Sequence, residues 1–392
     1  ASLLAVSHRF GRLFAGTANG FRWASLKELR EHCKPGGEGG AAATFHAVSC
    51  AGKPLCLRLN ADDSLLATIV VSGSEHKLEV YDVIGMVQGA GSSSSPLLMS
   101  QGLTEAAGAI DIQTSPTDPH SAVTISAVGD AILLCIHSND GGINQLKLAL
   151  PMNSLARSVG WSTSGANLFV GCTDGSVVRC SVTAPSTEGE RLLAPPSGLD
   201  NHEVTLVSTI SERFVLLGYD LPDVLRKEDP YTEPAVRVLD VKAAGDGAGE
   251  EVALHECAAG LFAGVREPGE ADGELARRRL HCASLPAWRL AVVCSSDSDA
   301  VSCIGSRKGG ETQRWQKWTL PDEEGPPSVP TFELGDVFED QYIMGLGFDF
   351  GNEEQLVVVA GEHEIVMIPV LMSILQSRGI FEAHRRGSWT LL

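Results

Sequence analysis

The chain has 392 residues, 43% of them hydrophobic, with 30 basic and 49 acidic side chains and a net charge of −19. That is too polar for a helical membrane protein and too apolar for a disordered chain. The acidic excess argues against nucleic acid as a direct ligand, because phosphate binding rests on Lys and Arg, and it suits either a basic partner or plain solubility.

No apolar run approaches the roughly 18 residues of a bilayer span. The opening ASLLAVSHRFGR has neither the positive leader nor the long apolar stretch of a secretory signal. Ten cysteines occur without a CxxC pair, most of them inside apolar runs such as AILLCIHS and LAVVCSS. Their setting predicts small buried hydrophobes in a reducing compartment, not a disulfide or zinc framework.

In chain order, LLAVSHRFGRLFAGTANGFRWA predicts a strand–turn–strand set at the start. The pattern returns in LRLNADDSLLATIVV from Leu57, with KLEVYDV as its third strand, and in IDIQTSPTDPHSAVTIS from Ile110, followed by AILLCIH. The clearest copy is SVGWSTSGANLFVGCTDGSVVRCSV over 158–182, where Asp174-Gly175 between two β-rich runs is a strong hairpin signal. Further copies are LVSTISERFVLLGYD from Leu206, CASLPAWRLAVVCSSDSDAVSCIG from Cys282 and MGLGFDFGNEEQLVVVAGEHEIVMI from Met344. Between them, 34–43, 88–95, 242–251 and 267–274 are Gly-, Ser- or acid-rich and predict inserted surface loops.

Seven such units, spaced by about 50 residues or more, predict an all-β, irregular seven-bladed β-propeller over residues 1–371. A blade has apolar faces that only its neighbours can cover, so the units must close into a ring. A pair of β-sandwiches is the alternative, but it explains seven similar units poorly. Residues 372–392 no longer have strand patterning and predict a C-terminal extension, a short helix on the ring or a tail.

Catalytic signatures are absent. There is no GxSxG elbow and no phosphate-binding GxxxxGK[ST]; the His-Glu pairs at His202, His255 and His363 never form HExxH. The GLGFDFG run at 345–351 has the wrong spacing for a dinucleotide loop and lies in a strand. The reading is a binding platform with no catalytic residue, cofactor or metal. An enzyme reading would need carboxylates or histidines clustered in the central channel.

The binding candidate is the loop over 321–341, in PDEEGPPSVPTFELGDVFEDQYIMG. Between Trp318 and Ser377 there are twelve Asp or Glu residues and no Lys or Arg. Pro321, Pro326, Pro327 and Pro330 restrict the backbone, lowering the entropy lost on binding. Apolar Phe332, Leu334, Val337 and Phe338 alternate with Asp336, Glu339 and Asp340, the composition of apolar anchors ringed by charge. The plainer reading is a solvated acidic loop.

These residues carry a resemblance. SLLAVSHRFGRLFAGTANGF with the KPG turn at 34–36, LNADDSLLATIVV, SVGWSTSGANLFVGCTDGSVV, ISERFVLLGYD and the approach to IMGL at 343–346 are similar, in order, to the N-terminal domain of the CAN-type cytoplasmic nucleoporins, plant and algal members among them. The resemblance implies a non-enzymatic propeller at the cytoplasmic side of the nuclear pore complex. It implies docking of the DEAD-box helicase of mRNA export, through the basic face of its N-terminal RecA-like domain, in competition with RNA. By position, it assigns Asp336, Glu339 and Asp340 as ion-pair partners, Leu334, Val337 and Phe332 as apolar contacts, and Asp322, Glu323 and Glu324 as supporting acids. A second contact loop falls within 254–280. Other nucleoporins would bind outside this chain, whose lack of FG repeats suits the N-terminal domain of a longer protein. A generic propeller scaffold for another basic partner is the alternative.

Overall fold

The computed structural model describes residues 2–32, 44–88, 96–137, 142–229, 232–245, 254–257, 278–285, 290–296, 300–306, 312–319, 331–333, 345–349, 355–360 and 364–370. Among the described residues, the strands form seven antiparallel sheets.

The first sheet holds Leu4–Ser7, Arg12–Thr17, Gly20–Ser25 and His46–Ser49. The second has a split inner strand, Lys53–Pro54 and Arg58–Leu59, then Leu65–Ser72, Glu75–Asp82 and Leu97–Gly102. The third holds Ile112–Thr114, Ser121–Ile125, Ala131–His137 and Gly142–Lys147; the fourth Ala156–Trp161, Asn167–Cys172, Val177–Ser181 and Glu190–Leu193. Glu203–Thr209, Phe214–Asp220, Ala235–Asp240 and Leu254–Glu256 make the fifth, and Leu280–Leu285, Leu290–Ser295, Ala300–Ser306 and Thr312–Thr319 the sixth. In the seventh, Gly345–Asp349, Gln355–Ala360 and Glu364–Val370 run outward in chain order, but the outermost strand, Thr331–Glu333, precedes them in the chain.

The innermost strands, Arg58–Leu59 in the second sheet, touch their counterparts in the next sheet all the way round, and the seventh returns to the first. That is a β-propeller. The core lies in the seams between blades. Phe14, Phe21 and Trp23 of the first blade pack with Leu57, Leu66 and Tyr81 of the second. Val204, Leu217 and Tyr219 of the fifth meet Phe169 and Val177 of the fourth. Each side chain so buried is stabilised by about 1.5–3 kcal/mol, which no single blade achieves alone.

Inner-strand side chains also tie blade to blade. Thr114 Oγ1 donates to the Leu59 carbonyl at 2.6 Å and Trp161 Nε1 to the Gln113 carbonyl at 2.9 Å. Thr209 Oγ1 donates in turn to the Trp161 carbonyl. At the closure, a Cβ on Gly345 would sit 2.7 Å from Leu4 Cβ and 2.8 Å from Leu4 N, so only glycine lets the last inner strand approach the first this closely.

The predicted units match the sheets in order, and the sequence-predicted turns sit between their strands. Within the fourth blade the Asp-Gly turn is a three-residue hairpin loop. Cys172 N–H donates to the Ser176 carbonyl at 2.9 Å, Gly175 holds φ +83°, and Asp174 Oδ1 accepts the Ser176 N–H at 2.9 Å. Cys56, Cys172, Cys180 and Cys294 are buried.

Candidate functional site

Strand direction sorts the loops onto two faces. In an antiparallel four-stranded blade, the turn between the second and third strands opens on the same face as the link from the outermost strand to the next blade. The link from Glu256 to Leu280, between blades five and six, therefore starts and ends on this face. So does the link from Glu333 to Gly345.

The sequence-predicted contact loop is thereby divided. Thr331–Glu333 is not loop; it pairs with the third strand of the last blade in the register Phe332↔Ile365. Its backbone groups find ladder partners there, a long-range pairing that local residue patterning does not reveal. Asp322, Glu323 and Glu324 belong to the stretch before this strand, and Leu334, Asp336, Val337, Glu339 and Asp340 to the stretch after it; both stretches lie outside the described residues. Of the 254–280 segment, Leu254–Glu256 is the outer strand of the fifth blade. Arg278, at its other end, is buried, its guanidinium 3.3 Å from Asp220 Oδ1 and 2.9 Å from the Thr232 carbonyl.

The same face carries exposed apolar side chains that sequence reading did not single out. Met152 is 83% exposed, Val224 73% and Val128 71%, the three most exposed large apolar residues described, with Leu155 at 49%. Val128 is in the turn between the second and third strands of blade three, Val224 in a short helix, Asp223–Glu228, between those of blade five. Met152 and Leu155 lie on the link from blade three to blade four. Solvated apolar groups gathered on one face are what a partner surface needs.

On the axis of the ring is a channel of about 830 Å3 that opens on this face past Val128, Leu155, Thr173 and Val224. Its wall is charged. Arg58 Nη2 lies 3.2 Å from Asp111 Oδ1, and Gln113 Nε2 donates to Asp111 Oδ2 at 3.0 Å. Burial alone would raise the Asp111 carboxyl, but Arg58 holds it below the usual carboxylate value. Arg157 Nε donates to Glu203 Oε2 at 2.6 Å across blades four and five. Among the described residues no group of three or more His, Cys, Asp or Glu side chains is placed to hold a metal ion.

No family model matches the chain. It is 23% identical over 390 residues to the human nuclear pore complex protein Nup214, an alignment covering 97% of this chain and 17% of that protein. Among solved structures it is similar to the N-terminal domain of Nup159, with a TM-score of 0.58, 14% identity, and coverage of 93% of this chain and 88% of the other. The resemblance to the CAN-type nucleoporin N-terminal domain holds. This nucleoporin-like propeller spans about a sixth of its human relative, in keeping with the 17% coverage. It also resembles the Cps50 (Swd1) β-propeller domain of Myceliophteria thermophila, with a TM-score of 0.55, 12% identity and coverage of 94% of this chain and 96% of that one.

Proposed function

We propose that this nucleoporin-like propeller is a docking platform at the cytoplasmic face of the nuclear pore complex. Its partner is the DEAD-box RNA helicase of mRNA export. The helicase presents a basic surface of its N-terminal RecA-like domain to the acidic segments that join blades five, six and seven. Asp336, Glu339 and Asp340 supply the charge, Leu334, Val337 and Phe332 the desolvated contacts, and Asp322, Glu323 and Glu324 add long-range attraction. The propeller imitates a polyanion, so it competes with RNA for that surface and supports remodelling of exported ribonucleoprotein.

One observation carries this reading. The links 256–280 and 333–345, expected to hold the partner, start and end on the face that also bears Met152, Val224 and Val128, the most exposed large apolar side chains described. Charge for encounter and apolar area for retention thus occur together, the combination a specific protein contact requires. The match of 97% of this chain to a part of Nup214 supports the setting, the nuclear pore.

The test is calorimetry with the helicase's N-terminal RecA-like domain. Replacing Asp336, Glu339 and Asp340 with Lys abolishes binding while the circular dichroism and melting temperature stay those of the parent protein. Unchanged affinity overturns the loop assignment. A well-folded parent propeller that ignores the helicase but captures another basic peptide supports the generic scaffold instead.

A further inference from the structure

The central channel holds one cation more than its own ion pairs use. Arg58 faces Asp111 at 3.2 Å, Arg157 faces Glu203 at 2.6 Å, and Arg278 faces Asp220 at 3.3 Å. Arg279 differs. Its backbone is fixed to blade six, the N–H donating to Ser296 Oγ at 2.9 Å and the carbonyl accepting the Ser296 N–H at 2.8 Å. Among the described residues its guanidinium has no hydrogen-bond acceptor and no carboxylate within ion-pair distance, and its Nε is buried without a partner.

His281, in the strand that begins at Leu280, lies two residues beyond Arg279 and lines the same channel. It is 3% exposed, and its Nε2 is a second buried polar atom without a partner. Burial, reinforced by the nearby Arg279 and Arg58 cations, keeps the imidazole neutral well below its usual pKa. Both residues line the channel. A buried polar atom left unpaired is destabilising, and the half-buried Arg279 carries one at its Nε, as the buried His281 does at its Nε2. In a chain of net charge −19, a surplus cation held inside the ring is out of keeping with the whole.

We propose that the channel binds a small free oxyanion of the phosphate or carboxylate class, seated on the Arg279 guanidinium. His281 offers a neutral polar nitrogen at the same wall, while Arg58 and Arg157 are neutralised by Asp111 and Glu203, so the charge that would hold the ion is that of Arg279. The polar channel lets the ion enter from the face past Val128 and Leu155. This site is independent of the helicase contact, since neither its residues nor its ligand enter that reading.

The experiment is a titration of the whole chain with inorganic phosphate, and separately with acetate, at constant ionic strength set by chloride. A bound ion stabilises the native state by mass action, so the melting temperature rises and saturates. Arg279→Gln weakens the phosphate midpoint by about tenfold or more, the loss expected for one charged hydrogen-bonding group, whereas Lys147→Gln, on the outer strand of blade three, leaves it unchanged. A linear rise shared by all three proteins is a general salt effect and overturns the proposal. A second measurement needs no variant. Phosphate slows phenylglyoxal modification of Arg279, read by peptide mass, at least threefold, while the rate at the exposed Arg213 is unchanged. Equal rates at Arg279 with and without phosphate contradict the site.

Discussion

The Tyr81 hydroxyl donates to Glu79 Oε2 at 2.6 Å, inside the seam of the first two blades. Glu79 is fully buried and also accepts the Ala51 N–H at 3.3 Å and the Ser100 hydroxyl at 3.4 Å. Tyr81 stands edge-on to Phe21 of the first blade, with ring centroids 5.0 Å apart. One residue thus joins an aromatic seam to a buried acid. Tyr81→Phe keeps the ring and removes the shortest donor to Glu79, which costs about 1–3 kcal/mol. Urea unfolding reads it as a lower midpoint with an unchanged slope.

Stability should decline at both ends of the pH range. Burial pushes the Cys56, Cys172 and Cys180 thiols from 9.0 up to about 11, and Cys50 and Cys282 up to about 12. Burial, then the hydrogen bonds with Cys50 and Glu79, lift the Tyr81 phenol above its ordinary range. Groups with raised folded pKa values lose protons first in the unfolded chain, so their contribution is complete below pH 9 and falls as pH rises beyond it. On the acid side, His281 is held below 6.5, so the unfolded chain takes the proton first and stability falls as pH drops through 6.5. Melting temperatures from pH 5 to 10 therefore trace a plateau between about 6.5 and 9. Replacing Cys50, Cys56 and Cys282 with Ala makes the alkaline decline shallower.

Ring closure depends on Gly345. The added Cβ of any other residue meets Leu4 backbone at 2.8 Å, an approach that side-chain rotation does not relieve. Gly345→Val should cost about 3 kcal/mol or more, as overpacking at a rigid seam does. Gly102→Ala is the control: it sits in the outer strand of blade two with open space at its Cβ, and the expected change is within about 0.5 kcal/mol. Thermal melts of the two variants compare them directly.

The exposed face also makes a claim of its own. Met152→Ser and Val224→Ser remove apolar area that is 83% and 73% solvated in the free protein. Melting temperature should stay within a few degrees, because neither side chain belongs to the core. Affinity for the helicase should fall by about threefold to thirtyfold, chiefly through faster dissociation. Loss of stability without loss of affinity contradicts a contact role for this face.

The blades were legible because strand patterning is local. VGW, NLFVG and SVVRC announce three strands of the fourth blade, and Asp174-Gly175 announces the hairpin between them. What local patterning missed depends on long-range pairing. Glu79 looks like an outward strand residue, yet it is a buried acceptor because Ala51 and Ser100, 28 and 21 positions away, supply donors beside that of Tyr81. Arg58 and Asp111 are 53 positions apart and meet only when blades two and three do. Thr331–Glu333, set within an acidic, proline-rich run, becomes an outer strand because Glu364–Val370 presents an open edge. The four short described helices, at Leu26–His32, Val83–Gln88, Asp223–Glu228 and Val241–Gly245, are too brief for helical periodicity to show.

Mimicry of RNA on a basic helicase surface is measured by competition. The propeller is titrated by calorimetry into the full-length export helicase, first alone and then with the helicase loaded with single-stranded RNA and a non-hydrolysable ATP analogue. The expected result is tight binding to the free helicase, weaker binding at higher salt, and little or none once RNA occupies the surface. Equal affinity for the free and RNA-loaded helicase would contradict it.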